Sequence, residues 1–162
     1  GYSGAAWVAT GTYLGLTSKF LSNGSRFVYT IEPDPVLFNQ AENYLRSFKN
    51  IEVINGTSEQ IFPVLLPKLT GDVNFWLDGH YSAGFTYRGH QDTPILDELE
   101  CVAANLKNFG NVCVMIDDIR CFNPSNPAYQ QYPALDVIVK WATENNLDWS
   151  IEHDIFIAKR FK

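Results

Sequence analysis

Asp78 closes the run Val73-Asn74-Phe75-Trp76-Leu77, and Asp117 with Asp118 closes the run Val112-Cys113-Val114-Met115-Ile116. Both runs are short, apolar and rich in β-branched or aromatic residues, the pattern of a buried strand. Strands covered on both faces look like this in parallel sheets. Carboxylates at the carboxyl ends of such strands face the crevice where open α/β sheets bind ligands. Gathered there in ionised form they repel one another unless a cation or a proton intervenes. The spacing therefore points to a divalent-metal site or an acid/base site. Helix capping and surface solvation are the alternative, and they account for Asp118 more readily than for Asp78 and Asp117 together.

His80 lies two residues past Asp78 and titrates near working pH. It is a candidate base for an acceptor hydroxyl, or else a loop histidine bonded to a backbone carbonyl. Arg120, directly after the acidic pair, is read as a counter-ion for Asp117 or Asp118, with an anionic substrate group as the other option. His90 and His153 are expected in surface turns. Tyr13, Tyr81, Phe85 and Tyr87 are candidates to wall an aromatic or sugar acceptor, or simply pack their loops.

A second set lies upstream. Thr10-Gly11-Thr12-Tyr13-Leu14-Gly15 is a GxxxG turn, not the GxGxxG of dinucleotide folds. Glycine lets the chain turn tightly and lets a ligand approach the backbone. Glu32 ends the next strand, where an acid can accept both hydroxyls of a ribose. A capping or solvated carboxylate beside Asp34 is the plainer reading.

These residues need a scaffold, and the sequence supplies alternating signals for one. Ala5 to Thr10, Phe27 to Glu32, Ile51 to Ile54, Val73 to Leu77 and Val112 to Ile116 read as strands. Asp34 caps a helix with Pro35 at its first position, and Leu37, Phe38, Ala41, Tyr44, Leu45 and Phe48 share its inner face. Helices are also expected over Leu16 to Ser22, from Ser58 to Leu66, after a Thr93 cap with Pro94 at the first position, and after Pro133. In the Thr93 helix, Asp97 and Glu98 favour the positive end, while Ile95, Leu99, Val102, Ala103 and Leu106 form the buried stripe. Gly79 to Asp92 is too long for an idle connection. Trp149 to Phe161 reads as two strands broken near His153-Asp154. The resulting order, βαβαβαβαβαββ, implies one α/β domain: a doubly wound, mostly parallel, seven-stranded Rossmann-like sheet in three α/β/α layers, its last strand antiparallel.

The chain has 162 residues, 46% of them hydrophobic and 19% charged, which suits one globular domain. A net charge of −6 argues against a nucleic acid as main partner. No stretch is long and apolar enough to span a membrane. Cys101, Cys113 and Cys121 lack metal or redox spacing and read as reduced thiols, so a cytoplasmic setting is expected. Gly1-Tyr2-Ser3-Gly4 runs almost straight into the first strand, and the domain over 1–162 is expected to lack an N-terminal segment. A homo-oligomer is left open.

With these motifs in place, the chain resembles the class I S-adenosylmethionine-dependent methyltransferases. The resemblance runs through the Gly11/Gly15 turn, Val28-Tyr29-Thr30-Ile31-Glu32, Ile54-Asn55-Gly56-Thr57-Ser58, Leu77-Asp78-Gly79-His80-Tyr81-Ser82, Asp92-Thr93-Pro94-Ile95 and Ile116-Asp117-Asp118-Ile119-Arg120. Within that family it is similar to the small metal-dependent O-methyltransferases of bacterial secondary metabolism. The resemblance implies that Gly11, Thr12 and Gly15 line the methionine part of S-adenosylmethionine. Tyr13 and Asp78 join the cofactor-binding set. Glu32 holds the ribose, and Thr57 and Ser58 border the adenine. It further implies that Asp78, Asp117 and Asp118 bind Mg2+, which lowers the pKa of a small-molecule hydroxyl and aligns it with the methyl group. His80 or Asp78 would take the proton. One position departs from the family: Ala9 stands where an acid usually helps to hold the cofactor's ammonium group. The rival readings are a metal-independent methyltransferase and a cofactor-binding domain of this fold without catalysis.

Overall fold

A computed structural model describes residues 1–79 and 93–160. The strands are β1 (Ala6–Thr10), β2 (Phe27–Glu32), β3 (Ile51–Asn55), β4 (Gly71–Leu77), β5 (Phe109–Ile116), β6 (Asp148–Glu152) and β7 (Ile155–Arg160). Between them lie α1 (Leu16–Leu21), α2 (Pro35–Leu45), α3 (Ser58–Leu65), α4 (Ile95–Asn105) and α5 (Leu135–Glu144). They form one seven-stranded sheet in the order β3-β2-β1-β4-β5-β7-β6. The first five strands pair in parallel, and β7 runs antiparallel to both β5 and β6. The expected architecture is the observed one, down to the terminal hairpin turning at His153-Asp154.

Alternation along the strands sends neighbouring side chains to opposite faces. Val8, Ile31, Phe75 and Val114 meet Phe62 of α3, Leu99 and Val102 of α4, and Ile138 and Ala142 of α5. Trp7, Ala9 and Val28 face the other way and pack with Leu21 of α1. The larger cluster fixes β4, β5 and their helices, and so the strand ends that carry the acids.

Asn74 looks out of place in the middle of a core strand, and it is fully buried. Its amide is satisfied by the backbone of Tyr2: Tyr2 N–H donates to Oδ1 at 2.8 Å and Nδ2 donates to the Tyr2 carbonyl at 2.9 Å. A buried amide with both ends bonded costs little. Asp34 caps α2 as its sequence suggests, Oδ1 accepting from the N–H groups of Val36 and Leu37. α4 begins one residue later than expected. Pro94 takes the cap position and the Ile95 N–H donates to Thr93 Oγ1 at 3.3 Å. Pro94 has no N–H of its own to offer, so the threonine hydroxyl serves the next residue. Cys101, Cys113 and Cys121 are free thiols.

Candidate functional site

The order of the sheet reverses between β1 and β4, and open α/β sheets bind their ligands outside such a crevice. The turn after β1 forms one wall. Gly11 has φ +75, and a Cβ there would lie 2.3 Å from the Asp78 carbonyl oxygen. Only glycine lets the β1 turn press against the end of β4 in this way. The two are bonded as well, the Asp78 N–H donating to Thr10 Oγ1 at 3.2 Å. Gly15, with φ +85, ends the turn and starts α1.

Glu32 holds this turn from the β2 side. Its Oε2 accepts the Tyr13 N–H at 2.8 Å and its Oε1 accepts the Asp34 N–H at 3.0 Å. The carboxyl is 4% exposed. Burial pushes its pKa up, and the two backbone N–H groups pull against that rise. Each oxygen keeps lone-pair capacity beyond its one bond. Glu32 thus locks the Gly11–Gly15 turn to the start of α2 and retains acceptors at the crevice. Both the capping role and the ribose role fit this geometry.

Thr12 turns inward. Its hydroxyl lies 2.7 Å from Thr30 Oγ1, which also accepts from Ser18 Oγ at 2.8 Å. What Thr12 offers a ligand is therefore its backbone. Tyr13 sits in the left-handed region at φ 49 and is 54% exposed. Thr57 caps α3 in a capping box with Gln60. Ser58, 5% exposed, faces inward beneath the crevice rather than toward its rim.

The acidic wall comes from β4 and β5. Leu77 and Ile116 are register partners, and the Asp117 N–H donates to the Leu77 carbonyl at 3.1 Å. Asp78 and Asp117 thus leave adjacent strand ends together, as their runs suggest. Asp118 does not join them in a ligand set. It adopts a left-handed conformation, φ 53 and ψ 42, and its Oδ1 lies 2.6 Å from an Arg120 nitrogen. The same guanidinium pairs with Asp154 in the β6–β7 turn. Arg120 is therefore the counter-ion of Asp118 and Asp154. Among the described residues no three acidic, histidine or cysteine side chains form a group able to hold a metal ion. The described residues thus give no support to the Mg2+ centre expected from Asp78, Asp117 and Asp118, and Asp118 is turned toward Arg120.

His80, with Tyr81, Ser82, Phe85, Tyr87, His90 and Asp92, lies outside the described residues. Glu98 is a site residue that the sequence reading misses. It does not decorate the exposed start of α4; it is 2% exposed and shares a small cleft with Leu77, Gly79, Asp117, Phe122 and Tyr132. Burial pushes its pKa up to about 7, the nearby Asp78 and Glu59 carboxylates push the same way, and the Ser58 and Thr10 hydroxyls oppose them. The signal was available. Glu98 stands three residues after Ile95 and four before Val102, inside the apolar stripe.

The crevice suits S-adenosylmethionine: a glycine cradle that a Cβ would fill and a carboxylate at the second strand end. No family model and no curated protein matches the chain. Solved structures do. One is a Streptococcus mutans protein described as a methyltransferase, in complex with SAH, at 13% identity and TM-score 0.60, covering 97% of this chain and 89% of that one. A SAM-dependent methyltransferase from Aquifex aeolicus is similar at 16% identity and TM-score 0.59, covering 97% and 81%. An rRNA methylase from Streptococcus thermophilus is similar at 14% identity and TM-score 0.58, covering 99% and 89%. At these identities the likeness speaks for architecture alone: the chain carries the fold of the S-adenosylmethionine-dependent methyltransferases.

Proposed function

We propose that the chain transfers a methyl group from S-adenosylmethionine to a hydroxyl of a small-molecule acceptor. The observation that carries this reading is the Gly11 turn pressed against Asp78, with the Glu32 carboxylate at the neighbouring strand end. Bound there, S-adenosylmethionine supplies an electrophilic methyl group on a positively charged sulfur. Glu32 would accept from the ribose hydroxyls while keeping the turn in place. The backbone of Gly11 and Thr12 would border the methionine part, with Gly15 fixing the turn's end. Thr57 at the start of α3 would border the adenine.

The acceptor belongs over the ends of β4 and β5. As its oxygen bonds to the methyl carbon, the carbon–sulfur bond breaks, its electron pair stays on sulfur, and the hydroxyl proton must leave. Asp78 would receive it, with His80 the sequence's other candidate. Positioning and deprotonation are what such a transfer asks of the protein. No metal step is invoked, because the described residues do not gather the ligands for one. The small-molecule preference rests on the net charge of −6. The neighbours lend no support to excluding a nucleic acid, since rRNA methyltransferases are among them. No described helix is long and apolar enough to cross a membrane.

Titration calorimetry with S-adenosylmethionine tests the reading. Binding in the micromolar range is expected, weakened at least tenfold in Glu32→Ala, which loses both the turn's anchor and the ribose acceptors. Absence of heat and of any thermal shift in the wild type would remove the cofactor from the account. Binding without methyl transfer to any of a panel of phenols, sugars and RNA oligomers would select the non-catalytic domain instead.

A further inference from the structure

We propose that the carboxylate of Glu98 selects the methyl donor over its product, favouring the sulfonium of S-adenosylmethionine against the uncharged thioether of S-adenosylhomocysteine. This rests on the cofactor reading above and adds a residue to it.

Glu98 lies directly under the crevice. A Cβ built on Gly79 would be 3.1 Å from Thr10 Oγ1 and 3.3 Å from Glu98 Oε1. The carboxyl therefore sits below the junction of the β1 turn and the β4 end, where the order of the sheet reverses. It is 2% exposed, and Oε1 has no hydrogen-bond partner among the described residues. The hydroxyls of Ser58 on α3 and Thr10 on β1 face it, yet neither completes a bond to that oxygen. Among the described residues, the charged groups that act on it are acids, Asp78 beyond β4 and Glu59 on α3, and Asp117 shares its cleft. No lysine or arginine is among the described residues that line the cleft.

A buried acid whose described charged neighbours are acids is unfavourable, and leucine would pack this helix face at less cost. A positive charge arriving overhead changes that balance. Coulomb attraction across a few ångströms of low-dielectric interior is far stronger than in water. Donor and product are alike except at sulfur, where the donor has one more methyl group and one more positive charge. An ionised Glu98 attracts the first and is indifferent to the second. Because burial holds the carboxyl near neutrality, with a pKa of about 7, the discrimination switches on as pH rises through that value. Below it, donor binding must first expel the proton.

The test is calorimetric titration of the full chain with each ligand separately, at about pH 6 and about pH 8. In the wild type the ratio of product to donor dissociation constants should rise about tenfold across that range. In Glu98→Gln the rise should vanish while product affinity stays the same. Infrared difference spectra of the wild type give a second reading that needs no variant. Near pH 6.5, about where both forms are populated, adding the donor should remove a protonated-carboxyl band and adding the product should not. An equal pH-dependent ratio in Glu98→Gln, or the same band change with both ligands, overturns the assignment. Binding of both ligands with a flat ratio in the wild type overturns it too, and leaves the cofactor reading standing. Binding of neither overturns both.

Discussion

On the β1–β2 side of the crevice, Thr12, Ser18, Thr30 and Glu32 spend their side chains on one another and on backbone N–H groups. On the β4–β5 side, Glu98 keeps a buried oxygen without a partner among the described residues, close to two other acids. The first arrangement holds a turn in one shape before any ligand arrives, with acceptor capacity left on Glu32. The second, among the described residues, sets a buried carboxyl beside other acids, an arrangement that a cation can relieve. On the proposed reading, a site that recognises a rigid adenosine and responds to a change of charge at one sulfur would use both kinds of wall.

Gly11→Ala should produce the largest effect, because it attacks the contact that joins the two walls. The left-handed backbone strains any Cβ, and this one would meet a backbone carbonyl at 2.3 Å. A loss of about 3 kcal/mol in chemical denaturation is expected, together with loss of donor binding. Gly15→Ala provides the control. Its Cβ would meet the end of the Leu45 side chain at 2.8 Å, which can swing aside, so it should cost less. Equal losses at the two positions would mean that the carbonyl contact is not what demands glycine.

Glu98→Gln probes the unsatisfied wall. In the unfolded chain the carboxyl ionises around 4.5, whereas in the folded protein it holds its proton to about 7. Below 4.5 it is neutral in both states and its burial is tolerated. As pH climbs from there through 7 the unfolded state ionises first, and the folded state loses on the order of 3 kcal/mol relative to it. The glutamine variant lacks that loss. Its stability should exceed that of the wild type at alkaline pH and converge on it in acid, as followed by melting temperature across the range. Parallel wild-type and variant curves would show that Glu98 does not titrate in this window.

Thr30→Val tests the satisfied wall. Thr30 Oγ1 joins the hydroxyls of Thr12 and Ser18 in a fully buried cluster. Removing it leaves two hydroxyls short of a partner, for a cost of about 2 kcal/mol independent of pH. A pH-dependent loss would tie this cluster to a titrating group and blur the contrast between the two sides.

The strand and helix order was legible because each element carries its own signal. Continuous apolar runs mark β4 and β5, Asp34-Pro35 marks the start of α2, and His153-Asp154 breaks the last two strands. The meeting of Asp78 and Asp117 was legible too, since parallel pairing sets equivalent strand ends side by side. Three features were not. Glu98 was hidden by its neighbour Asp97: a pair of acids in a first helical turn suits the helix dipole, and only the spacing from Ile95 to Val102 says that one of them points inward. The amide of Asn74 finds its partner in the backbone of Tyr2, a contact 72 residues away that no local pattern announces. The fate of Asp118 depended on its backbone taking a left-handed conformation. Aspartate tolerates that better than most residues, but nothing in Ile116-Asp117-Asp118 requires it.

Arg120→Ala should give the smallest effect, and its size decides how the acidic wall is understood. The guanidinium is 59% exposed and bridges Asp118 to Asp154 across the start of the terminal hairpin. Exposed ion pairs trade modest attraction against side-chain entropy and are screened by salt. The expected change in melting temperature is therefore slight at low ionic strength and absent at high. Its second consequence bears on metal binding. Freed from Arg120, Asp118 has less reason to stay turned toward the hairpin, and it could swing toward Asp117. If calorimetry detects Mg2+ binding in the variant and not in the wild type, the arginine is what holds the third carboxylate out of a metal site. If the wild type binds Mg2+ as tightly as the variant, the ligands come from elsewhere in the chain and the Asp118–Arg120 pair does not govern them.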